Sequence, residues 1–257
     1  MKLPLILSAF FALEMLATGS VGAYFNATYL STTVFLTNST TAHVIEGIQV
    51  YVSNASISTY DTDRQAFNLS LGSWQGVIGN TQFLTQHILN PRSSISNFTF
   101  LPGPITPAAN GGGYASLTMS YDAHNVTTVV SVGPRQFEYS VNSSVFNFLH
   151  TASGESLLPN ARLTLSVPPG TQIVKIYPLP DYPVPNSFGK YNGTSFSWYS
   201  GEPLQNFNFI YIITETPQQE VVRYFSGLYK NYGTLIVVLL ILAVVGIAVY
   251  VYYKFFR

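Results

Sequence analysis

The sequence predicts a mainly β protein: a β-sandwich ectodomain of one or two modules, then a juxtamembrane helix and one transmembrane helix. Three observations carry that reading. Apolar and polar residues alternate in short runs, as in Ala115, Leu117, Met119 and Tyr121 against Ser116, Thr118 and Ser120. Period-two alternation sends successive side chains to opposite faces of a strand. Turn chemistry separates the runs at Pro102-Gly103-Pro104, Asn110-Gly111-Gly112-Gly113, Pro168-Pro169-Gly170 and Asn192-Gly193. Last, residues 233–253 are a run of 21 without a charge; as a helix it spans about 31 Å, the thickness of a bilayer's hydrocarbon core.

Residues 1–23 have the three parts of a secretory signal: the charge of Lys2, an apolar stretch from Leu3 to Ala17, and small residues at Val21-Gly22-Ala23. Glu14 interrupts the apolar stretch, so an uncleaved anchor stands as the alternative. Residues 24–150 form a first β-rich module. Within it, alternation around Phe67-Asn68-Leu69-Ser70-Leu71 and Phe98-Thr99-Phe100 predicts strands, and the stretch 101–113 (LPGPITPAANGGG) predicts a long loop or linker. Residues 151–215 form a second β-sandwich module, with strands at Leu163 to Val167, at Phe196 to Trp198 and at Phe207 to Ile213, the last apolar enough to be buried on both faces. A single sandwich over both modules is the competing reading. Thr216, Pro217 and Gln219 spell a capping box that opens a helix over 216–232. Its apolar residues Val221, Val222, Phe225, Leu228, Tyr229 and Tyr232 recur at helical spacing, either as a stripe packed on the last β-module or running straight into the membrane. Residues 254–257 contribute Lys254 and Arg257, which puts the C-terminus in the cytoplasm and the ectodomain outside.

Composition narrows the class. Only 9% of residues are charged, against a usual figure of about 25%, and 11 Lys and Arg balance 11 Asp and Glu. Nothing in that balance points to nucleic acid or an anionic surface. A body with so few charges needs another source of hydration, and asparagine supplies a candidate. Eight triplets match the N-glycan acceptor, at Asn26, Asn38, Asn54, Asn68, Asn97, Asn125, Asn142 and Asn192, where chance placement predicts about three. The competing explanation is that Asn, Ser and Thr cluster on polar strand faces anyway. The chain has no cysteine, which excludes a disulfide framework. Dense acceptors without cysteine point to an archaeal cell envelope.

No chemical motif survives comparison with its bland explanation. His43, His87, His124 and His150 are far apart and no cysteine joins them, so no zinc pattern exists. Asp61-Thr62-Asp63 opens like a calcium loop, but Arg64 and Gln65 follow, and a solvated turn fits better. Asp122-Ala123-His124 lies near many serines without a nucleophile elbow. Trp198, Tyr199, Tyr177, Tyr182 and Tyr191 offer a sugar-binding aromatic face, but core packing explains them as well. No cofactor, metal ligand or catalytic residue is expected.

From residue 151 onward, the Leu-x-Val-Pro-x-Gly strand ending at Gly170, Pro-x-Pro-Asp ending at Asp181, the strand tryptophan Trp198 and the aromatic strand after Pro203-Leu204 resemble a group of uncharacterised archaeal membrane proteins. That resemblance covers roughly the last 105 residues. It implies a secretion signal, a β-rich extracytosolic domain and one C-terminal transmembrane helix, and no activity. The expected function is that of a non-enzymatic, glycosylated cell-surface protein, acting in adhesion, envelope architecture or as an accessory subunit of a membrane complex. A membrane-tethered module for carbohydrate or peptide is the alternative, and an envelope-polymer hydrolase the third. Partners are the membrane and a surface protein or glycan. The membrane run lacks small residues four apart, so any oligomer is expected to be built by the ectodomain or by the helix before the membrane run.

Overall fold

The structure is a computed structural model and describes residues 25–67, 69–109, 111–152, 154–186, 190–191 and 193–256. The expected signal at 1–23 and the acceptors Asn68 and Asn192 lie outside the described residues. The described chain is mainly β. In chain order the strands are β1 (Phe25–Phe35), β2 (Ala42–Val52), β3 (Ile78–Gly79), β4 (Ile95–Pro107), β5 (Gly113–Ala123), β6 (Thr127–Gly133) and β7 (Gln136–Val141). There follow β8 (Leu149–Thr151), β9 (Gly154–Ser156), β10 (Ala161–Ser166), β11 (Gln172–Tyr177), β12 (Ser195–Tyr199) and β13 (Asn208–Thr214). Helices α1 (Ile57–Phe67) and α2 (Leu71–Gln75) sit between β2 and β3, and α3 (Pro217–Phe256) follows β13.

The larger sheet runs β12-β10-β1-β2-β5-β4, with β3 added beside the start of β1. All of its neighbours are antiparallel except β1 with β10 and with β3. A second sheet runs β11-β13-β7-β6, all antiparallel, and β8 and β9 form a small hairpin. Each larger sheet takes strands from both sides of residue 150, and one continuous set of buried side chains joins them. Phe196 and Trp198 of β12 meet Phe209 of β13 with ring centroids 5.4 and 6.3 Å apart. The boundary expected at 150/151 therefore does not separate two sheets. Pairing of strands more than a hundred residues apart leaves no trace in local sequence.

Strict alternation builds the core face. Along β2, Ala42, Val44, Ile48, Val50 and Val52 are buried while His43, Ile45 and Gln49 are exposed, and β5 matches it with Ala115, Leu117, Met119 and Tyr121 inward. At the helix-covered end, Trp74 of α2 packs against Tyr60 and Phe67 of α1 at 5.2 and 5.8 Å.

Several local expectations change. The strand expected around Phe67 to Leu71 is the junction of α1 and α2, where Ser70 caps α2 by accepting from the Ser73 N–H. The Asp61-Thr62-Asp63 turn is a turn of α1, with Arg64 and Asp61 3.6 Å apart. The expected linker at 101–113 is mostly strand: β4 runs through Pro102, Pro104 and Pro107 as an edge, where a missing N–H costs no ladder bond. In β13, Phe209 and Tyr211 are buried but Ile210 and Ile212 are only half-buried, so one face is covered and not two.

The capping box at Thr216 forms in both directions, Thr216 N–H to Gln219 Oε1 at 2.8 Å and Gln219 N–H to Thr216 Oγ1 at 3.3 Å. From it α3 continues as one helix through the whole uncharged run 233–253. The side chains of residues 235, 236, 239–241 and 248–252 within that run are outside the described set. Among the described residues no helix is long and apolar enough to cross a membrane. At its start Arg223 lies over the Phe137 ring and pairs with Glu215 at 2.9 Å, while Val221, Val222, Phe225, Tyr229 and Tyr232 are exposed.

Candidate functional site

Register across the larger sheet sorts its outward side chains into rows. One row reads Ser195, Ser166, Phe35, His43, Asp122 and Ser96; the next Ser197, Thr164, Thr33, Ile45, Ser120 and Thr99; the next Tyr199, Arg162, Ser31, Gly47, Thr118 and Leu101. Further along come Tyr29, Gln49 and Ser116, then Asn26, Tyr51, Tyr114 and Thr106. Hydroxyls and amides dominate, and acidic or basic side chains enter only at His43, Asp122 and Arg162. The Arg162 guanidinium is tied down through Nη2 to Ser31 Oγ at 3.1 Å.

Part of this face is hollowed into a groove of about 670 Å³, lined among others by Tyr29, Ser31, Gln49, Pro104, Tyr114 and Ser116. Its shape follows from two glycines. At Gly47 a side chain would meet nothing within 4 Å, so the floor there is open. At Gly103 a Cβ would come within 2.7 Å of the Ser116 carbonyl oxygen, so only glycine lets bulged β4 lie this close against β5. Thr28 Oγ1 donates to the Gln49 backbone carbonyl at 3.2 Å and lies 3.5 Å from its side-chain Oε1, which fixes the Gln49 amide beside the groove. Tyr51 and Tyr114 pack at 5.4 Å at the end of the groove. The groove combines aromatic rings, hydroxyls and an amide, with no carboxylate or cation among its lining residues.

At the other end of the same face Asp122, His43 and Ser120 line up. His43 Nδ1 meets Asp122 Oδ1 at 2.8 Å, Ser120 Oγ meets His43 Nε2 at 3.2 Å, and Asn97 Nδ2 donates to Asp122 Oδ2 at 2.6 Å. The His43 and Asn97 hydrogen bonds hold the Asp122 carboxyl below the usual carboxylate range. His124 stands beside them, between Thr41 Oγ1 at 3.0 Å and Ser96 Oγ at 2.9 Å. The order carboxylate, imidazole, hydroxyl is that of an acyl-transfer relay. Ser120, however, lies in a strand paired on both sides, so its backbone N–H serves the ladder and is not aimed at an oxyanion.

Behind this cluster, on the inner face of the same two strands, is a second histidine set that sequence reasoning missed. His87 Nδ1 meets Glu46 Oε2 at 2.6 Å, the His87 N–H donates to Glu46 Oε1 at 2.9 Å, and Tyr121 donates its hydroxyl proton to the same Oε1. Tyr121 in turn accepts from the Ile88 N–H at 3.1 Å. His87 Nε2 faces the Gln82 carbonyl at 2.9 Å. Both ring nitrogens thus face acceptors, which calls for a doubly protonated imidazolium. Burial alone pushes His87 down, and the Glu46 carboxylate, the Gln82 carbonyl and Glu155 together outweigh it, leaving the group raised. Burial and then the same carboxylate push the Tyr121 phenol up. All three side chains are inaccessible to solvent, and Phe148 stacks on the imidazole at 4.9 Å.

The other sequence-derived candidates scatter. Asn26, Asn38, Asn54, Asn97 and Asn125 are exposed, and Asn142 is half-buried, its Oδ1 accepting from the Ser144 N–H and hydroxyl. They are spread over strands and turns of both larger sheets, and none lines the groove, although Asn26 shares a register row with Tyr51 and Tyr114. Trp198 is fully buried and Tyr191 packs on Phe196, so the proposed aromatic face loses two members to the core; Tyr177, Tyr182 and Tyr199 are exposed. His150 pairs with Glu155 at 2.6 Å on the β8–β9 hairpin. Among the described residues no group of three or more His, Asp or Glu is placed to hold a metal ion.

No family model matches the sequence, and no curated protein matches it significantly. Among solved structures, the folded domain of LppM from Mycobacterium tuberculosis is similar over 77% of this chain and 94% of its own, at 7% identity and a TM-score of 0.24. A likeness at that TM-score carries no argument about fold or function.

Proposed function

We propose that this chain is a non-enzymatic, glycosylated cell-surface protein. It holds a β-sandwich ectodomain outside the cell on a single C-terminal membrane helix, and its outer sheet face binds neutral polysaccharide. The anchor reading rests on the 21 uncharged residues at 233–253, carried in one continuous helix behind a formed capping box. Lys254 and Arg257 beyond the run support a cytoplasmic C-terminus. The binding reading rests on one observation: an uncharged groove with Tyr29 and Tyr114 beside Gln49, Ser31 and Ser116, with no glycan acceptor among its lining residues. Sugars offer apolar C–H faces to aromatic rings and hydroxyls to amide and hydroxyl groups, and such a groove answers both. The resemblance to archaeal membrane proteins agrees with the topology and adds no ligand. Full-length protein in detergent, titrated with neutral glucan, mannan and chitin oligosaccharides, is expected to bind at least one series. Tyr114→Ala should weaken that binding about tenfold, the worth of an aromatic contact of about 1.4 kcal/mol. Binding to none of the series, or binding indifferent to Tyr114→Ala, overturns the reading.

A further inference from the structure

The four edges of the two larger sheets are treated unequally. On β12, the proline-rich segment after β11 covers the edge: the Asp181 and Tyr182 N–H groups donate to the Ser197 carbonyl, and the Ser197 N–H returns to Tyr182 at 2.7 Å. Edge strand β4 carries Pro102, Pro104 and Pro107 with two register breaks. Edge strand β11 has exposed Lys175 at a register break and runs into Pro178. Prolines, bulges, edge lysines and covering loops are the devices by which sheets refuse further strands. Edge strand β6 (TTVVSVG) has no charge, no proline, and one register break, at the end next to its turn. Among the described residues it pairs only with β7, and Val129, Val130 and Val132 are 43%, 59% and 46% exposed.

We infer that β6 is a strand-addition surface whose occupant is β6 of a second copy, giving a two-fold antiparallel pair that joins two four-stranded sheets. With the other three edges blocked, self-association through strand addition has one self-complementary solution, and an isologous pair closes without growing into a fibre. An uncharged strand meets its own copy without like-charge repulsion. The nearest acid, Glu138 opposite Val130 on β7, would lie about 14 Å from its counterpart across three strand spacings, beyond the screening length at physiological salt. Thr127 at the start of β6 is buried against the Ser39 carbonyl, and overlap of the exposed residues 128–132 centres the pair on Val130, placing Val130 against Val130 and Thr128 against Val132, β-branched pairs favoured across strands. A strand contact of this length falls well below the about 1,200 Å² of a stable standard interface, so the association is weak and grows with local concentration.

The chain has no cysteine, so the register can be read directly. Opposed Cα atoms in an antiparallel pair lie about 4.5–5.5 Å apart, within disulfide range. In full-length protein in detergent under mild oxidation, Val130→Cys is expected to form a disulfide dimer. Thr128→Cys and Val132→Cys should cross-link when mixed and not when each is alone. Val174→Cys, similarly exposed on blocked β11, serves as the control, and adding Lys at Thr128 should abolish the Val130→Cys dimer. Cross-linking no greater than the control, cross-linking without this register dependence, or a dimer that survives the added lysine overturns the inference.

Discussion

Each face of strands β2 and β5 meets a histidine, a carboxylate and a hydroxyl: outside, His43, Asp122 and Ser120 all come from the two strands, while inside Glu46 and Tyr121 are joined by His87 from the segment between β3 and β4, and the two sets differ chiefly in their access to water. Inside, His87, Glu46 and Tyr121 are fully enclosed; outside, the His43 and Asp122 side chains are 45% and 25% exposed. The contact lengths are nearly equal, 2.6 Å against 2.8 Å. Bond length therefore says little about what each pair is worth. A charge enclosed with its partner cannot recover solvation when that partner is lost, whereas an exposed one turns to water.

The largest expected effect comes from breaking the inner pair. His87→Ala is expected to cost about 3–5 kcal/mol in urea denaturation, because it leaves an enclosed carboxylate uncompensated. His43→Ala is expected to cost under about 1 kcal/mol. Equal costs would break the comparison.

A smaller and graded effect is expected with pH. His87 ionises ordinarily at 6.5 and is raised in the fold. Its contribution is fully present below pH 6.5 and is lost as pH rises through the folded value. Stability should therefore fall above pH 6.5 by up to about 1.4 kcal/mol per unit, and His87→Gln should remove that slope. A slope of the opposite sign would show the ring to be enclosed as neutral imidazole.

The smallest effect belongs to Asp122, held below its ordinary 3.8 by His43 and Asn97. Its contribution is present above pH 3.8 and lost as pH falls through the depressed folded value. Asp122→Asn is expected to cost under about 1 kcal/mol at neutral pH and nothing once acid has protonated the native carboxyl. Thermal melts of the two proteins at both pH values check this.

How much of this the sequence disclosed depends on the range of the interaction. Alternation along β5, β10 and β12 is local, so those strands were legible, as was the capping box at Thr216. Alternation over Phe67 to Leu71 is too short to separate strand from helix junction, and Ser70 there caps α2. The prolines of β4 read as linker because a central strand excludes them, yet an edge does not. Glu46 did leave a signal: it occupies the apolar phase of β2, between Val44 and Ile48. An acid in that phase points to a buried partner, but His87 lies 41 residues away with nothing nearby to name it. The groove is the least legible feature, since cross-strand register, not spacing along the chain, brings Tyr29, Gln49 and Ser116 into one row.

The chain holds two tryptophans, and both are fully buried. Trp74 sits at the helix-covered end among Tyr60, Phe25 and Phe67, while Trp198 sits between the sheets against Phe207 and Phe209, its indole N–H donated to the Pro178 carbonyl at 3.1 Å. Each is a built-in fluorophore in an apolar setting, and each reddens when water reaches it. Replacing one at a time with phenylalanine turns the protein into a pair of single-colour gauges, one per end of the core. Coincident emission curves during unfolding mark one cooperative body, and curves that part mark two that melt in turn, so the light itself counts the folding units.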